Sequence, residues 1–162
     1  MASMIGKAVF AAVFALAAGA ASAGVTVSFV APEKFADLPA DRWEREEVLR
    51  DLAAWFEELG RQLPAGQDLR VEITDVDLAG RGYPSSSVRE LRVAGNPAEW
   101  PSVSLRYTLS ANGQVLGSGV EQLKDMHFQS RRDVRPQDGK LRYEKRMIDD
   151  WFRQTFPQRT PG

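Results

Sequence analysis

Residues 102–123, SVSLRYTLSANGQVLGSGVEQL, constrain the fold more than any other stretch. Two alternating runs flank Asn112-Gly113, the dipeptide a two-residue type I′ turn favours because both central residues need φ > 0. Placing Ala111 opposite Gln114 sets Leu109 against Leu116, Tyr107 against Ser118 and Leu105 against Val120. That register keeps the apolar positions on one face and leaves Ser104, Arg106, Thr108 and Glu121 on the other. Cross-strand pairs contribute only about 0.2–1 kcal/mol each, so the apolar face needs a second layer.

Two amphipathic helices can supply it. Asp41 is placed to cap a helix reaching about Leu63, in which Val48, Leu49, Leu52, Trp55, Phe56, Leu59 and Leu63 recur at helical spacing. Glu46–Arg50 and Glu57–Arg61 stand at i,i+4 on its polar side, and Pro64-Ala65-Gly66 stops it. A second helix opens at Asp138 or Gly139 and covers about residues 140–156. Its apolar side holds Tyr143, Met147, Ile148, Trp151, Phe152 and Phe156. Residues 25–30 alternate as a short strand. In residues 69–78 the apolar phase moves from Leu69, Val71 and Ile73 to Val76 and Leu78, which predicts a β-bulge near Thr74-Asp75. Strand, helix, strand in this order predicts a right-handed crossover with the first two strands parallel. Residues 79–87 read as a Gly/Pro/Ser loop and 88–93 as a weaker strand, while Met126 and Phe128 extend the sheet. The expected architecture is α+β: a two-layer sandwich, with a mostly antiparallel sheet of about five strands and both helices on one face.

Residues 1–23 read as a cleaved secretory signal peptide. Lys7 gives a positive start, residues 8–20 form an apolar run too short to span a bilayer comfortably, and Ala21-Ser22-Ala23 fits the small-x-small cleavage pattern. Residues 24–162 then form a single α+β domain in a periplasmic or secreted location, with no transmembrane segment after cleavage. Loss of Lys7 leaves 20 basic against 22 acidic residues. So balanced a chain has no overall field to steer it to nucleic acid, and no nucleic-acid partner is expected. With no cysteine in the chain, thiol chemistry and thiol-based redox chemistry are excluded.

Chemistry-bearing residues are sparse. His127 is the single histidine, so a Ser-His-Asp arrangement would have to pass through it. No G-x-S-x-G, HExxH or P-loop pattern occurs, and zinc of the usual His/Cys type lacks ligands. Asp75 and Asp77, two apart on a strand, can offer oxygens to a hard cation, or can be an exposed edge followed by a turn-capping Asp; a calcium site needs more oxygens than these. Arg131, Arg132, Arg135, Lys140, Arg142, Lys145 and Arg146 form a basic patch. Cations at the start of a helix oppose its dipole. They call for a partner, either the acids of the first helix (Asp41, Glu44, Glu46, Glu47, Asp51) or an external envelope polyanion. Trp100, before Pro101, is a candidate stacking platform or a lid on the hairpin end. Trp55 and Trp151 belong to the core.

Several segments carry a family likeness. V-T-V-S-F-V-A-P-E-K-F at 25–35, D-V-D-L-A-G at 75–80, Trp100-Pro101, L-R-Y-T-L at 105–109, K-D-M at 124–126 and L-R-Y-E-K-R-M-I-D-D-W-F at 141–152 together resemble the DUF3016 family. The resemblance implies a secreted proteobacterial protein with no assigned activity. The expected function is therefore a non-catalytic binding or envelope-accessory module, using no cofactor. Its partner is an envelope component, protein or polyanion, met on a surface that includes Asp75, Asp77, Trp100, Arg131, Arg132, Arg135, Arg142 and Arg146. The alternative is a hydrolase or metal-dependent enzyme that gathers Asp75, Asp77, Asp125 and His127 in one pocket.

Overall fold

The structure is a computed structural model and describes residues 23–83, 91–133 and 139–157. Residues 1–22 of the expected signal segment, 84–87 of the expected loop, 88–90 of the expected strand, Arg135 and Asp138 lie outside them. Strand β1 (Gly24–Phe29) is followed by a 3-10 turn at Pro32–Lys34 and helix α1 (Arg42–Gly60). Then come β2 (Gln67–Asp77), β3 (Arg81–Tyr83), β4 (Leu91–Val93), β5 (Ser102–Ala111) and β6 (Gln114–Lys124). A 3-10 turn at Phe128–Ser130 and helix α2 (Arg142–Thr155) complete the order.

The main sheet runs β1-β2-β5-β6, with β1 parallel to β2 and the other pairs antiparallel. The crossover through α1 is thus the expected βαβ unit. The weaker strand does not join this sheet. Instead β4 pairs with β3 in a separate two-stranded ribbon, so part of the expected loop is strand. The bulge falls where the apolar phase shifts, between Ile73 and Asp75, and it keeps both Ile73 and Val76 buried. β6 ends at Lys124; the chain then turns, leaving Met126 exposed and burying Phe128 against the Tyr143 ring.

The hairpin turn is as expected, with φ of 51° at Asn112 and 76° at Gly113. Its register is not. A bulge at Leu116 leaves Leu109 opposite Gly117, Tyr107 opposite Gly119 and Leu105 opposite Glu121. Val120 therefore faces outward beside Arg106 and is 78 % exposed. Gly119 supplies the physical reason. A Cβ there would stand 2.7 Å from Tyr107 Cε1, and that ring is held between Trp151 and Phe156 at centroid distances of 5.6 and 5.5 Å. Glycine opposite Tyr107 lets the ring lie under α2, which outweighs burying Leu116 and Val120.

Both helices cover one face. Leu52 and Phe56 of α1, and Ile148 and Phe152 of α2, meet Val71, Ile73, Val103 and Leu105 in one core cluster. Asp41 caps α1 by accepting the N–H groups of Trp43 and Glu44, as its side chain predicts. On the polar side of α1 the partners differ from those expected: Glu46 meets Arg42, still at i,i+4, and Arg61 meets Glu58 at i,i+3. The helices are joined where the Trp55 indole N–H donates to Asp149 at 2.8 Å. Arg153 pairs with the neighbouring Asp150. Among the described residues no helix is long and apolar enough to cross a membrane.

Candidate functional site

The first turn of α2 differs from that of α1. Leu141 stands at its N-cap and makes no side-chain capping bond. Three residues on, Glu144 lies at i−3, i−4, i−7 and i−8 from Met147, Ile148, Trp151 and Phe152. It therefore falls inside the apolar stripe that faces the core. The result is a carboxyl group only 2 % exposed. Its Oε1 accepts the Ala79 N–H at 2.7 Å, tying α2 to the segment that leaves β2. Its Oε2 is buried and makes no hydrogen bond among the described residues. Burial pushes the Glu144 carboxyl above its ordinary value, opposed by the Ala79 N–H and by the Arg92 and Arg142 charges.

Glu144 lies in the wall of a cleft of about 300 Å³, the lower end of the range for small-ligand pockets. One side is the start of α1, with Glu44, Glu47, Val48 and Asp51. The other is the start of α2, with Lys140, Leu141, Arg142 and Tyr143. Pro39, Leu78, Ala79, Arg92 and Ala94 close the remainder. The cations here have partners within the protein: Lys140 Nζ lies 3.3 Å from Glu47 Oε2, and Arg92 holds Asp37 at 2.7 Å and the Gly80 carbonyl at 3.1 Å. The Arg142 guanidinium sits 4.7 Å from the Tyr143 ring centroid. Lys140 thus takes the internal partner, across the two helix starts, that its position called for.

Arg131 and Arg146 of the basic patch are built into a different network. Arg131 bridges Asp125, Asp133 and Asp150, at 3.1, 3.4 and 2.7 Å. Burial opposes its charge, but the hydrogen bonds to Asp133 and Asp150 prevail and raise its pKa. The Arg131 hydrogen bond in turn holds Asp133 below the ordinary carboxylate value. Arg146 adds to Asp133 and Asp150. Arg132 is exposed, and among the described residues Arg142 is the one expected arginine that reaches the cleft.

The carboxylates of the alternative reading stand in separate places. Asp75 accepts the Ala36 N–H at 2.7 Å. Asp77 is pushed up by burial and by the neighbouring charges of Asp37 and Asp75. Asp125 is held by Arg131 and receives the backbone N–H of His127, whose side chain is exposed. β5 separates the end of β2 from the end of β6, so the two groups start about 10 Å apart at the backbone. Among the described residues no His, Cys, Asp or Glu side chains gather in threes as for a metal ion. Trp100 is half-buried at the turn before β5 and does not line the cleft.

Glu144 was not among the site residues expected from the sequence. The signal that finds it is its helical phase: a charged residue at a core position. Over residues 23–154 the chain matches the family described as Protein of unknown function (DUF3016). Neither a curated protein nor a solved structure matches the chain.

Proposed function

We propose a function for a chain that belongs to the DUF3016 family, itself of unknown function: a secreted, non-catalytic binding domain of the cell envelope, with its ligand in the cleft between the helix starts. The observation that carries this reading is Glu144, a residue of the cleft wall whose Oε2 is buried and has no hydrogen-bond partner among the described residues. Buried polar groups are ordinarily satisfied, and an unmet one in a pocket is what a ligand's polar group would meet. The apolar run, Lys7 and Ala21-Ser22-Ala23 support secretion, with Gly24 as the first residue of the processed protein.

Thermal unfolding in the presence of small amines, small carboxylates, an envelope polyanion, EDTA and divalent cations tests the binding reading. A ligand restricted to the folded state stabilises it by about 2.7 kcal/mol at a hundredfold excess over Kd. One of the small organic probes is expected to raise Tm by several degrees, and Ala94→Phe, which fills the cleft, should remove the shift. A shift produced by divalent cations and lost in Asp75→Ala/Asp77→Ala would overturn the reading in favour of a metal-dependent protein. Absence of any shift with the small probes would also overturn it.

A further inference from the structure

We infer that the ligand carries a primary ammonium group on a short apolar stem, and that the ammonium seats on Glu144 Oε2. This inference rests on the cleft being a ligand site. It goes further by naming what the cleft accepts.

The cleft holds both signs of charge, so its lining alone does not decide. What decides is which groups already have partners. Lys140 meets Glu47, Arg92 meets Asp37 and the Gly80 carbonyl, and Arg142 lies over Tyr143. The cations are accommodated by the protein itself. Glu144, a residue of the cleft wall, has one oxygen bonded to Ala79 N–H and the other buried without a hydrogen bond among the described residues. As a carboxylate, Glu144 therefore calls for a donor at Oε2. An ammonium supplies three N–H donors and the charge a buried carboxylate needs.

The surroundings agree. Glu44, Glu47 and Asp51 line the α1 side of the cleft, with Glu47 paired to Lys140. Val48, Leu78 and Leu141 give the stem an apolar surface, and a cleft of about 300 Å³ confines the ligand to a small molecule. The charged groups of the cleft around Glu144 are Arg92 from β4, Lys140 and Arg142 at the start of α2, and the three α1 carboxylates. Burial favours the neutral carboxyl of Glu144 over the carboxylate. Seating an ammonium reverses that preference. The ligand keeps its protons, and to the extent that Glu144 is protonated in the free protein it ionises and that proton passes to the buffer.

Calorimetric titration of the protein with butylammonium, butyrate and butanol, each in phosphate and in HEPES, tests this. Butylammonium is expected to bind at least tenfold more tightly than butyrate or butanol. Its apparent enthalpy should differ between the two buffers because a proton is released. Glu144→Gln keeps the shape and an acceptor for Ala79 N–H, so it should fold with an unchanged circular dichroism spectrum. It should also weaken butylammonium at least tenfold and abolish the buffer dependence. Butylammonium binding that is unchanged in Glu144→Gln overturns the inference. So does preferential binding of butyrate that is lost in Ala94→Phe, although the cleft then remains a ligand site. No binding by any of the three probes overturns both the inference and the reading beneath it.

Discussion

A buried carboxyl group with one oxygen bonded and the other unmet leaves a mark on stability as well as on binding. Because burial raises the folded-state pKa of Glu144 above its ordinary 4.5, the native state holds its proton to higher pH than the unfolded chain does. The stability tied to that proton is fully present below the unfolded pKa and is lost as pH rises through the folded one. Asp77 and Asp149 are raised for the same first reason, burial, and act in the same direction. Glu144→Gln removes one of these three contributions. Its Tm relative to wild type should therefore rise between pH 4 and pH 8 in matched melting curves; a difference that is flat or falls with pH would contradict the assignment. This residue was legible in the sequence only through its place in the α2 stripe. Its burial depends on the Ala79 segment arriving from β2, a contact between residues 65 positions apart that no local pattern encodes.

At the scale of elements, turns and caps followed from local chemistry, and the hairpin register did not. Asn112-Gly113 fixes the turn because only those residues take positive φ cheaply, and Asp41 fixes the start of α1 because its oxygen reaches two free N–H groups. Asp41→Ala should cost about 1 kcal/mol in denaturant unfolding. The bulge at Leu116 was invisible because it answers to a ring pressed from above by α2. Gly117 and Gly119 separate the two registers. Gly119→Ala drives a methyl into the confined Tyr107 ring and should cost about 1–3 kcal/mol, as overpacking does. A Cβ at Gly117 meets nothing within 4 Å, so Gly117→Ala should be neutral or slightly stabilising. Equal effects of the two substitutions would contradict the observed register. The bulge in β2, by contrast, showed in the sequence because both of its flanks are core strand and the apolar phase had to change.

Across the whole molecule, the two helices and four-stranded sheet share one core cluster. The α+β class, the βαβ crossover and the single helix-covered face were legible because burial imposes periodicity on every element that contributes. The pairing of distant charges was only partly so: Lys140 with Glu47 was foreseeable from the misplaced cation, whereas Arg131 with Asp125 and Asp150 required the fold. The join between helices gives a further expectation. Trp55→Phe takes the indole donor from the half-buried Asp149, a loss of about 1–3 kcal/mol for a group left unsatisfied. Because that N–H opposes the effect of burial on Asp149, its removal raises the carboxyl further. The cost should then be larger at pH 7 than at pH 4, and equal costs at the two pH values would contradict the role given to this bond.

The central claim is that a small ligand enters the cleft beside Glu144. Amide chemical-shift mapping tests it most directly, with ¹⁵N-labelled protein titrated with butylammonium and, separately, butyrate. The account predicts that the Ala79 amide, which donates to Glu144, and the amides of residues 141–144 shift together and saturably with butylammonium, while Asn112 and Gly113 at the far hairpin tip stay still. Shifts confined to residues away from the cleft, or none at Ala79 with either probe, would contradict it.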